Sequence, residues 1–392
     1  MNLCFFTYWG LNEGLTQATV VPHLKILAEF SEVDQIQFVS MERDNIGPKL
    51  KLKNVVHHQI VTSESGKDKL TDRSKATKLL TRLHNEKNID LVIARGVMAG
   101  WLSLKFVKES GCAYSVESFE PHADYMHEDG VWKKIGLRYQ VLKKAENSEK
   151  KQANFLFPVT DAYAQHLIEK EGVNSAKIRT MPCCVDLDRF AFRKTDRSAI
   201  RTKLGLKDSD IVGIYTGKLG GIYLDIEAIQ IIRAAKEQLG SERFFLIILS
   251  PDHDAWRKSL VEANIDSNRY HIGFVDQSEV GAYLSASDFA FSLHRPTPSK
   301  MGISPIKNGE YMANGLPVVI PHGIGDDSAL IRQNEFGVVV DDIDSIEKTD
   351  FSSLTSLMMI DRENGRIAKW ARAHRSFDIV RSCYQEMVAK IK

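Results

Sequence analysis

Three residues of the segment SPIKNGEYMANGLPVVIP, namely Ser304, Lys307 and Glu310, follow one another at steps of three. On a helix this spacing stacks a hydroxyl, a cation and a carboxylate on one face. Such a face could hold a phosphate at the helix start and a pair of sugar hydroxyls one turn deeper, because the unpaired N–H groups and the dipole of a helix N-terminus favour anions. Lys307 is the odd member. A cation in the first turn opposes that dipole by roughly 0.3–1 kcal/mol, so its presence there asks for an anionic partner. The competing reading is a capped helix with an i,i+3 lysine–glutamate pair, which would contribute only about 0.2–0.5 kcal/mol.

Three further segments carry groups of the same kind. In GIYTGKLGGIYLDIEAIQ, Gly217, Gly220 and Gly221 surround a single cation, Lys218, between a strand and a helix. Glycine backbone N–H groups together with an ammonium suit a diphosphate, although the P-loop spacing is absent and Lys218 alone reads as readily as solvated surface. In YWGLNEGLTQATVV, Gly10 and Gly14 precede a helix expected near Thr16. Their spacing is not the G-x-G-x-x-G fingerprint, which disfavours a nicotinamide-dependent dehydrogenase, but Gly14 could let a substrate or phosphate approach the backbone. SVESFEPHADYMHEDG, expected to be a strand end followed by a loop, gathers Glu117, Glu120, His122, Asp124, His127, Glu128 and Asp129. His122 could act as a base there, while the spacings match no metal motif, so no metal site is expected. Neither G-x-S-x-G nor H-E-x-x-H occurs, which leaves hydrolase readings without support.

Residues so far apart converge only if strand ends deliver them. Short apolar runs alternate with segments of helical period from end to end, the pattern of parallel sheets covered on both faces by helices. The first half offers strands at NLCFFTY, QIQFVS, HHQIV, DLVIAR, AYSVE and NFLFPV, with a last short one at KIRTMP. Helices fit TQATVVPHLKILAEF, LTDRSKATKLLTRLHNEK and KKIGLRYQVLKKAENSEKK. The polar segment CCVDLDRFAFRKTDRSAIRTKLGL breaks this rhythm, and strands then follow at IVGIYTG, RFFLIILS, RYHIGF, DFAFSL, LPVVIP and GVVVD. Ser304 is expected to cap a helix that has Pro305 at its first position and runs to about Asn314, where Gly315 stops it. The expected architecture is α/β, with two doubly wound Rossmann-like domains over 1–185 and 186–372 facing a cleft. A C-terminal helix over 373–392, the end of a long amphipathic stretch, should cross back to the first domain. Ligands of such sheets bind beyond the carboxyl ends of the strands.

The totals narrow the partners. With 392 residues, 43% hydrophobic and 26% charged, the chain is long enough for two cores. Its 52 basic and 51 acidic residues give no basic excess of the kind a nucleic-acid binder carries. The cysteines, Cys4, Cys112, Cys183, Cys184 and Cys383, show no paired spacing, which points to a reducing, cytoplasmic setting. No apolar run approaches the roughly 20 residues that span a bilayer, and MNLCFFTYWG reads as a first strand rather than a leader. The basic face of KKIGLRYQVLKKAENSEKK is either solvated surface or a peripheral contact with anionic lipid at the inner face of the membrane.

Several of these segments, in order, resemble GT-B glycosyltransferases of the large GT4 group. SPIKNGEYMANGLPVV is similar to that group's donor-site motif and YTGKLGG to its glycine loop. GFVDQSEVGAYLSASDFAFSL resembles the loop, helix and strand that come next, and MPCCVDLDRF the interdomain connection. The resemblance spans the chain and is strongest over 211–340. It implies transfer of a sugar from a UDP- or GDP-linked donor to a saccharide or lipid-linked acceptor, in glycan or polysaccharide biosynthesis. Retention at the anomeric carbon, no tightly bound cofactor and no catalytic metal would be usual for the group. By the same resemblance Glu310 would bind the ribose, Lys218 the diphosphate, and Lys307 the diphosphate or sugar, while His122 would match an acceptor-domain histidine that approaches the donor sugar. Gly14, Gly217, Gly220, Phe274, Ser304 and Pro305 complete the candidate donor contacts.

Two positions depart from the group's pattern. Gly302 stands where a second glutamate usually contacts the donor sugar, and GGIYLDIE lacks the lysine that often follows the glycine loop. Two other readings therefore stay open: a GT-B epimerase or hydrolase acting on the nucleotide sugar alone, and a catalytically silent nucleotide-binding subunit.

Overall fold

The structure, a computed structural model, describes residues 1–43, 46–62, 66–358, 362 and 365–391, without the side chains of 66–70. The chain divides into two compact units, Met1–Cys183 with Phe377–Lys392, and Cys184–Ser376. The first unit runs β1 (Asn2–Thr7), α1 (Gly14–Thr19), α2 (Val21–Ala28), β2 (Gln35–Arg43), β3 (Val55–Thr62), α3 (Gly66–Lys87), β4 (Leu91–Arg95), α4 (Gly96–Ser110), β5 (Ala113–Phe119), α5 (His122–Glu128), α6 (Leu137–Gln152), β6 (Phe155–Pro158) and α7 (Asp161–Glu169). The second runs α8 (Lys194–Lys203), β7 (Ile211–Thr216), α9 (Ile226–Leu239), β8 (Phe244–Leu249), α10 (His253–Glu262), β9 (Tyr270–Gly273), α11 (Val280–Ala286), β10 (Phe289–Phe291), α12 (Ile306–Ala313), β11 (Val318–Pro321), α13 (Asp327–Asn334), β12 (Gly337–Val340), α14 (Leu354–Met358) and α15 (Arg366–His374). A final helix, α16 (Phe377–Ile391), belongs to the first unit.

Each unit is built on one six-stranded parallel sheet, ordered β3-β2-β1-β4-β5-β6 in the first and β12-β11-β10-β7-β8-β9 in the second. Both orders reverse their winding at a central pair, β1 beside β4 and β7 beside β10. That is where an open α/β sheet leaves a crevice at its strand ends. Strands buried on both faces read as unbroken apolar runs, as FFLIIL of β8 does. Its alternate residues feed two cores: Leu246 and Ile248 pack with Ile231 and Ile232, whereas Phe245 and Ile247 pack with Leu284 and Tyr311.

The structure departs from the sequence reading at several elements, among them the loop expected after β5, which forms α5 over His122–Glu128. KIRTMP forms no strand, only an isolated bridge from Ile178 to Leu156. The helix expected over 16–30 is two helices, because Pro22 sits in the first turn of α2 and has no N–H to continue the ladder of α1. The long C-terminal stretch is likewise two helices, interrupted after His374.

Side-chain networks fix α16 and α5 within the first unit. Tyr384 of α16 donates to Glu117 of β5, His23 Nδ1 meets Tyr384 Oη at 2.8 Å, and Arg95 Nη1 reaches Glu117 Oε1 at 3.1 Å. Burial opposes ionisation of Glu117, but His23 and Arg95 hold its carboxyl below the usual range. Helix α6 secures α5: Glu146 Oε1 accepts from Ala123 N at 2.7 Å, and Asp124 accepts from Tyr139 Oη at 2.7 Å and from Lys143 Nζ at 2.6 Å. On its inner face, α6 presses Glu149 against α4, where a Cβ on Gly100 would lie 2.7 Å from the carboxyl carbon. Among the described residues no helix is long and apolar enough to cross a membrane, and the five cysteines form no disulfide.

Glu149 gives a pH-dependent prediction. Neither of its carboxyl oxygens has a hydrogen-bond partner among the described residues, and burial, reinforced by Glu146, holds the group well above the ordinary glutamate range. The folded state therefore holds this proton more tightly than the unfolded state. Its contribution is full below the unfolded pKa of about 4.3 and is lost as pH rises. Glu149→Gln should resist urea better than the parent at neutral pH, with the difference closing near pH 4. Equal midpoint shifts at both pH values would contradict this.

Candidate functional site

In the second unit the loops after β7 and β10 run side by side. Leu224 N donates to Leu293 O at 2.9 Å, and Arg295 N donates to Ile222 O at 3.1 Å. Helix α12 ties itself to the same place, with Tyr311 Oη 3.0 Å from Thr216 N and 2.8 Å from Thr216 Oγ1. The loop is firm in its backbone: Tyr215 Oη donates to Lys218 O at 2.6 Å, and Leu219 N donates to Asp252 Oδ2 at 3.2 Å. The Lys218 side chain is exposed. Gly217 has φ 139°, and a Cβ there would lie 2.5 Å from Lys307 Nζ. Only glycine lets this ammonium rest against the strand end. Gly220, with φ 73°, turns the chain toward α9.

Lys307 is the second residue of α12 and is buried. Its Nζ lies 4.3 Å from the centre of the Tyr223 ring and 4.8 Å from that of Tyr215. Among the described residues it has no hydrogen-bond partner. Ring quadrupoles offset part of the cost of burying a cation, by roughly 0.5–2 kcal/mol, but they leave three N–H donors idle. Burial accordingly pushes the amine down to about 7, with Glu310 opposing. Glu310, one turn on, is pushed up to about 7 by its own burial, against Lys307 and Arg189. His294 is buried 4.7 Å from the Tyr223 ring, and burial, Lys307 and Lys300 push its pKa well below the histidine range. Lys300 is fully buried in the short turn Pro298–Gly302 that leads to α12.

The helix start differs from the expected cap. Pro305 precedes the first helical residue, Ile306, and supplies no side-chain cap, so Ser304 lies one position outside. Ser304 Oγ instead accepts from Arg375 Nη1 at 3.2 Å. Arg375 also pairs with Asp327, which accepts from Asn308 Nδ2 at 2.8 Å. These buried groups anchor both sides of the first turn of α12. Phe274 follows β9 at the same strand ends and is 71% exposed, a large ring left in solvent.

The structure brings Gly217, Lys307, Ser304, Pro305 and Glu310 together, with Lys218 and Gly220 on the adjoining loop. Nothing in local spacing singles out Tyr223, His294 or Lys300. The available signal is topological, since HRPTPSK directly follows the strand that neighbours β7. A cavity of about 660 Å³ along β12, lined by residues such as Arg332, Asp341 and Lys348, contains none of the candidates.

Two candidates lie in the first unit. His122 opens α5, with Nδ1 2.8 Å from Glu120 Oε1 and its ring against Tyr125 and Trp132. The Glu120 carboxylate accepts from Nδ1 and so orients the ring. Gly14 begins α1 and has nothing within 4 Å of where a Cβ would be, whereas a Cβ on Gly10 would meet Glu42 Oε2 at 2.7 Å. A side chain at 10 would thus have to displace the end of Glu42, whereas the space at Gly14 is open.

No family model and no curated protein sequence matches the chain. Solved structures do match over its whole length. A glycosyltransferase from Rickettsia africae superposes with a TM-score of 0.69 at 15% identity, covering 100% of this chain and 98% of the other. Sucrose-phosphate synthase from Thermosynechococcus elongatus gives 0.73 at 14%, covering 100% and 99%. HepE of Anabaena, solved with UDP, gives 0.68 at 13%, covering 100% of both. The chain has the GT-B fold. Within that fold, the site described above sits on the loops and helix at the carboxyl ends of β7 and β10.

A buried ammonium without an acceptor should weaken the fold that holds it. The folded pKa of Lys307 is depressed, so its unfavourable contribution is largest below about pH 7 and fades as pH approaches the ordinary lysine value. Lys307→Met keeps the aliphatic stem and removes the charge. It is expected to stabilise the protein by about 1–4 kcal/mol near pH 6, with the gain shrinking toward pH 10 in thermal melts. A variant less stable than the parent at pH 6 would count against an unpaired ammonium.

Proposed function

We propose that the protein is a glycosyltransferase that moves a sugar from a nucleotide diphosphate sugar to a saccharide or lipid-linked acceptor, in cytoplasmic glycan or polysaccharide biosynthesis. The observation that carries this reading is the buried ammonium of Lys307, in the first turn of α12, which lies against Gly217 and has no acceptor among the described residues. A cation kept out of water without a counter-ion suits an anion that arrives and leaves. HepE has also been solved with UDP-glucose, which favours a UDP-linked over a GDP-linked donor here.

In this reading the acceptor oxygen bonds to the anomeric carbon as the bond to the phosphate oxygen breaks, and the acceptor's proton passes to that departing oxygen. Attack from the leaving-group face gives retention. The developing diphosphate charge would meet Lys307, Lys218 and the backbone N–H groups of 301–304 and of the first turn of α12. The scheme uses no protein base in the second unit and no metal. Gly217 and Gly220 would admit the diphosphate, Glu310 would accept hydrogen bonds from the ribose hydroxyls, and Phe274 would cover the base. Ser304 and Pro305 would shape the entry to α12. On the acceptor side, Gly14 would admit substrate to the backbone and His122 would address the donor sugar.

Gly302 favours one rival, a catalytically silent nucleotide-binding subunit, because the usual sugar-binding carboxylate is missing. Incubation with a panel of nucleotide sugars, with and without acceptor extracts, separates the readings. Acceptor-dependent release supports transfer, acceptor-independent release an epimerase or hydrolase, and binding alone the silent subunit.

Two predictions test the roles of individual residues. Lys307→Met should lower transfer by at least about 100-fold while leaving the fold intact, Lys218→Ala should also reduce it, and Glu310→Gln should mainly weaken UDP binding. Unchanged turnover in both lysine variants would sink the scheme. Because a diphosphate favours the protonated amine, UDP affinity should fall as pH rises above about 7, with proton uptake visible by calorimetry in buffers of different ionisation heat. Lys307→Met should abolish that dependence.

A further inference from the structure

Between α5 and α6 the chain makes a tight turn in which Gly136 N donates to Lys133 O at 2.7 Å, and a Cβ on Gly136 would meet that oxygen at 2.9 Å. The turn carries Ile135 out to 89% exposure, and Leu137, the first residue of α6, to 77%. Val131 and Val141 are exposed beside them. Lys133, Lys134, Arg138 and Lys144 are exposed as well and form no ion pair among the described residues. From 131 to 145 the sequence contains Lys133, Lys134, Arg138, Lys143 and Lys144 and no Asp or Glu, in a chain whose net charge over its full length is only +1.

We propose that this segment docks the protein on an anionic lipid bilayer, with Ile135 and Leu137 inserted at the headgroup boundary and the surrounding cations on lipid phosphates. Charge and pattern choose this occupant. The buried centre of a protein interface is depleted in lysine, whereas here lysines alternate with the apolar side chains. At a bilayer the alkyl stems lie along the apolar boundary while the ammonium groups reach the phosphates, each contributing about 1 kcal/mol near an anionic surface.

Within the first unit the segment is coupled to His122. Trp132 lies edge-on to His122 at 6.0 Å, and His127 Nδ1 donates to Trp132 O at 3.0 Å. Glu146 and Lys143 of α6 hold the first turn of α5. A docked segment would therefore hold His122 close to the bilayer surface. Resting on the transferase reading, this narrows the acceptor to a lipid-linked one.

Docking itself can be tested apart from transfer. The intact protein is sedimented with phosphatidylcholine vesicles, with and without phosphatidylglycerol, and UDP affinity is measured on the same samples. Binding to the anionic vesicles alone is expected, reversed by high salt. It should weaken at least about tenfold in Ile135→Ser/Leu137→Ser and in Lys133→Gln/Lys134→Gln, with UDP affinity unchanged. Absence of vesicle binding, or equal binding by the variants, overturns the proposal. So does light scattering that shows a dimer dissociated by Ile135→Ser/Leu137→Ser, which would assign the face to a second copy. Vesicle binding without UDP binding would instead count against the donor reading alone.

Discussion

A lysine ammonium buried with no acceptor among the described residues is the constraint around which the second unit is arranged. Keeping Lys307 out of water requires a glycine at 217, because any Cβ would strike the nitrogen. It also uses two aromatic faces, Tyr215 and Tyr223, which attract a cation without neutralising it. The buried Arg375, Asp327 and Asn308 hold the helix start that carries it. The rings and the buried network support the lysine's position, but none of these features gives its ammonium a hydrogen-bond acceptor. In the proposed reading the arrangement trades stability for an anion site, as functional positions often do.

Electrostatics in the site are set by burial more than by pairing. Lys307 and Glu310 are both displaced toward neutrality, one downward and one upward, and each only partly relieves the other. A bound polyanion would shift this balance toward the ammonium, so ligand binding and protonation are linked through one side chain. His294 is kept neutral beside two lysines and can contribute hydrogen bonding but no further positive charge. The first unit solves a similar problem differently. There Glu117 is also buried, yet His23, Arg95 and Tyr384 surround it, and the result is a structural clasp for α16 rather than a vacant charge.

Much of this was legible in the sequence, for definite reasons. Alternation of short apolar runs with helical segments reports parallel sheets because both faces of each strand are buried, and FFLIIL of β8 shows it most plainly. SPIKNGEYMANG announced a helix whose lysine opposed the dipole, since helical spacing and dipole direction are local properties. KIRTMP misled because its propensity fits a strand but its position beyond β6 offers only one bridge. Ser304 misled because a serine before a proline has the composition of a cap, while Arg375, far along the chain, claims its hydroxyl.

The sequence by itself determined the fold class, the approximate span of most strands, and the two segments, around Lys218 and Lys307, that meet at the site. These follow from periodicity, glycine placement and charge, which act over a few residues. Only the tertiary structure decided that Lys307 is sealed between Tyr215 and Tyr223, that His294 and Lys300 join it, and that Ile135 and Leu137 are left in solvent. Burial and partnership depend on which distant strands are neighbours, and that order is a property of the whole sheet.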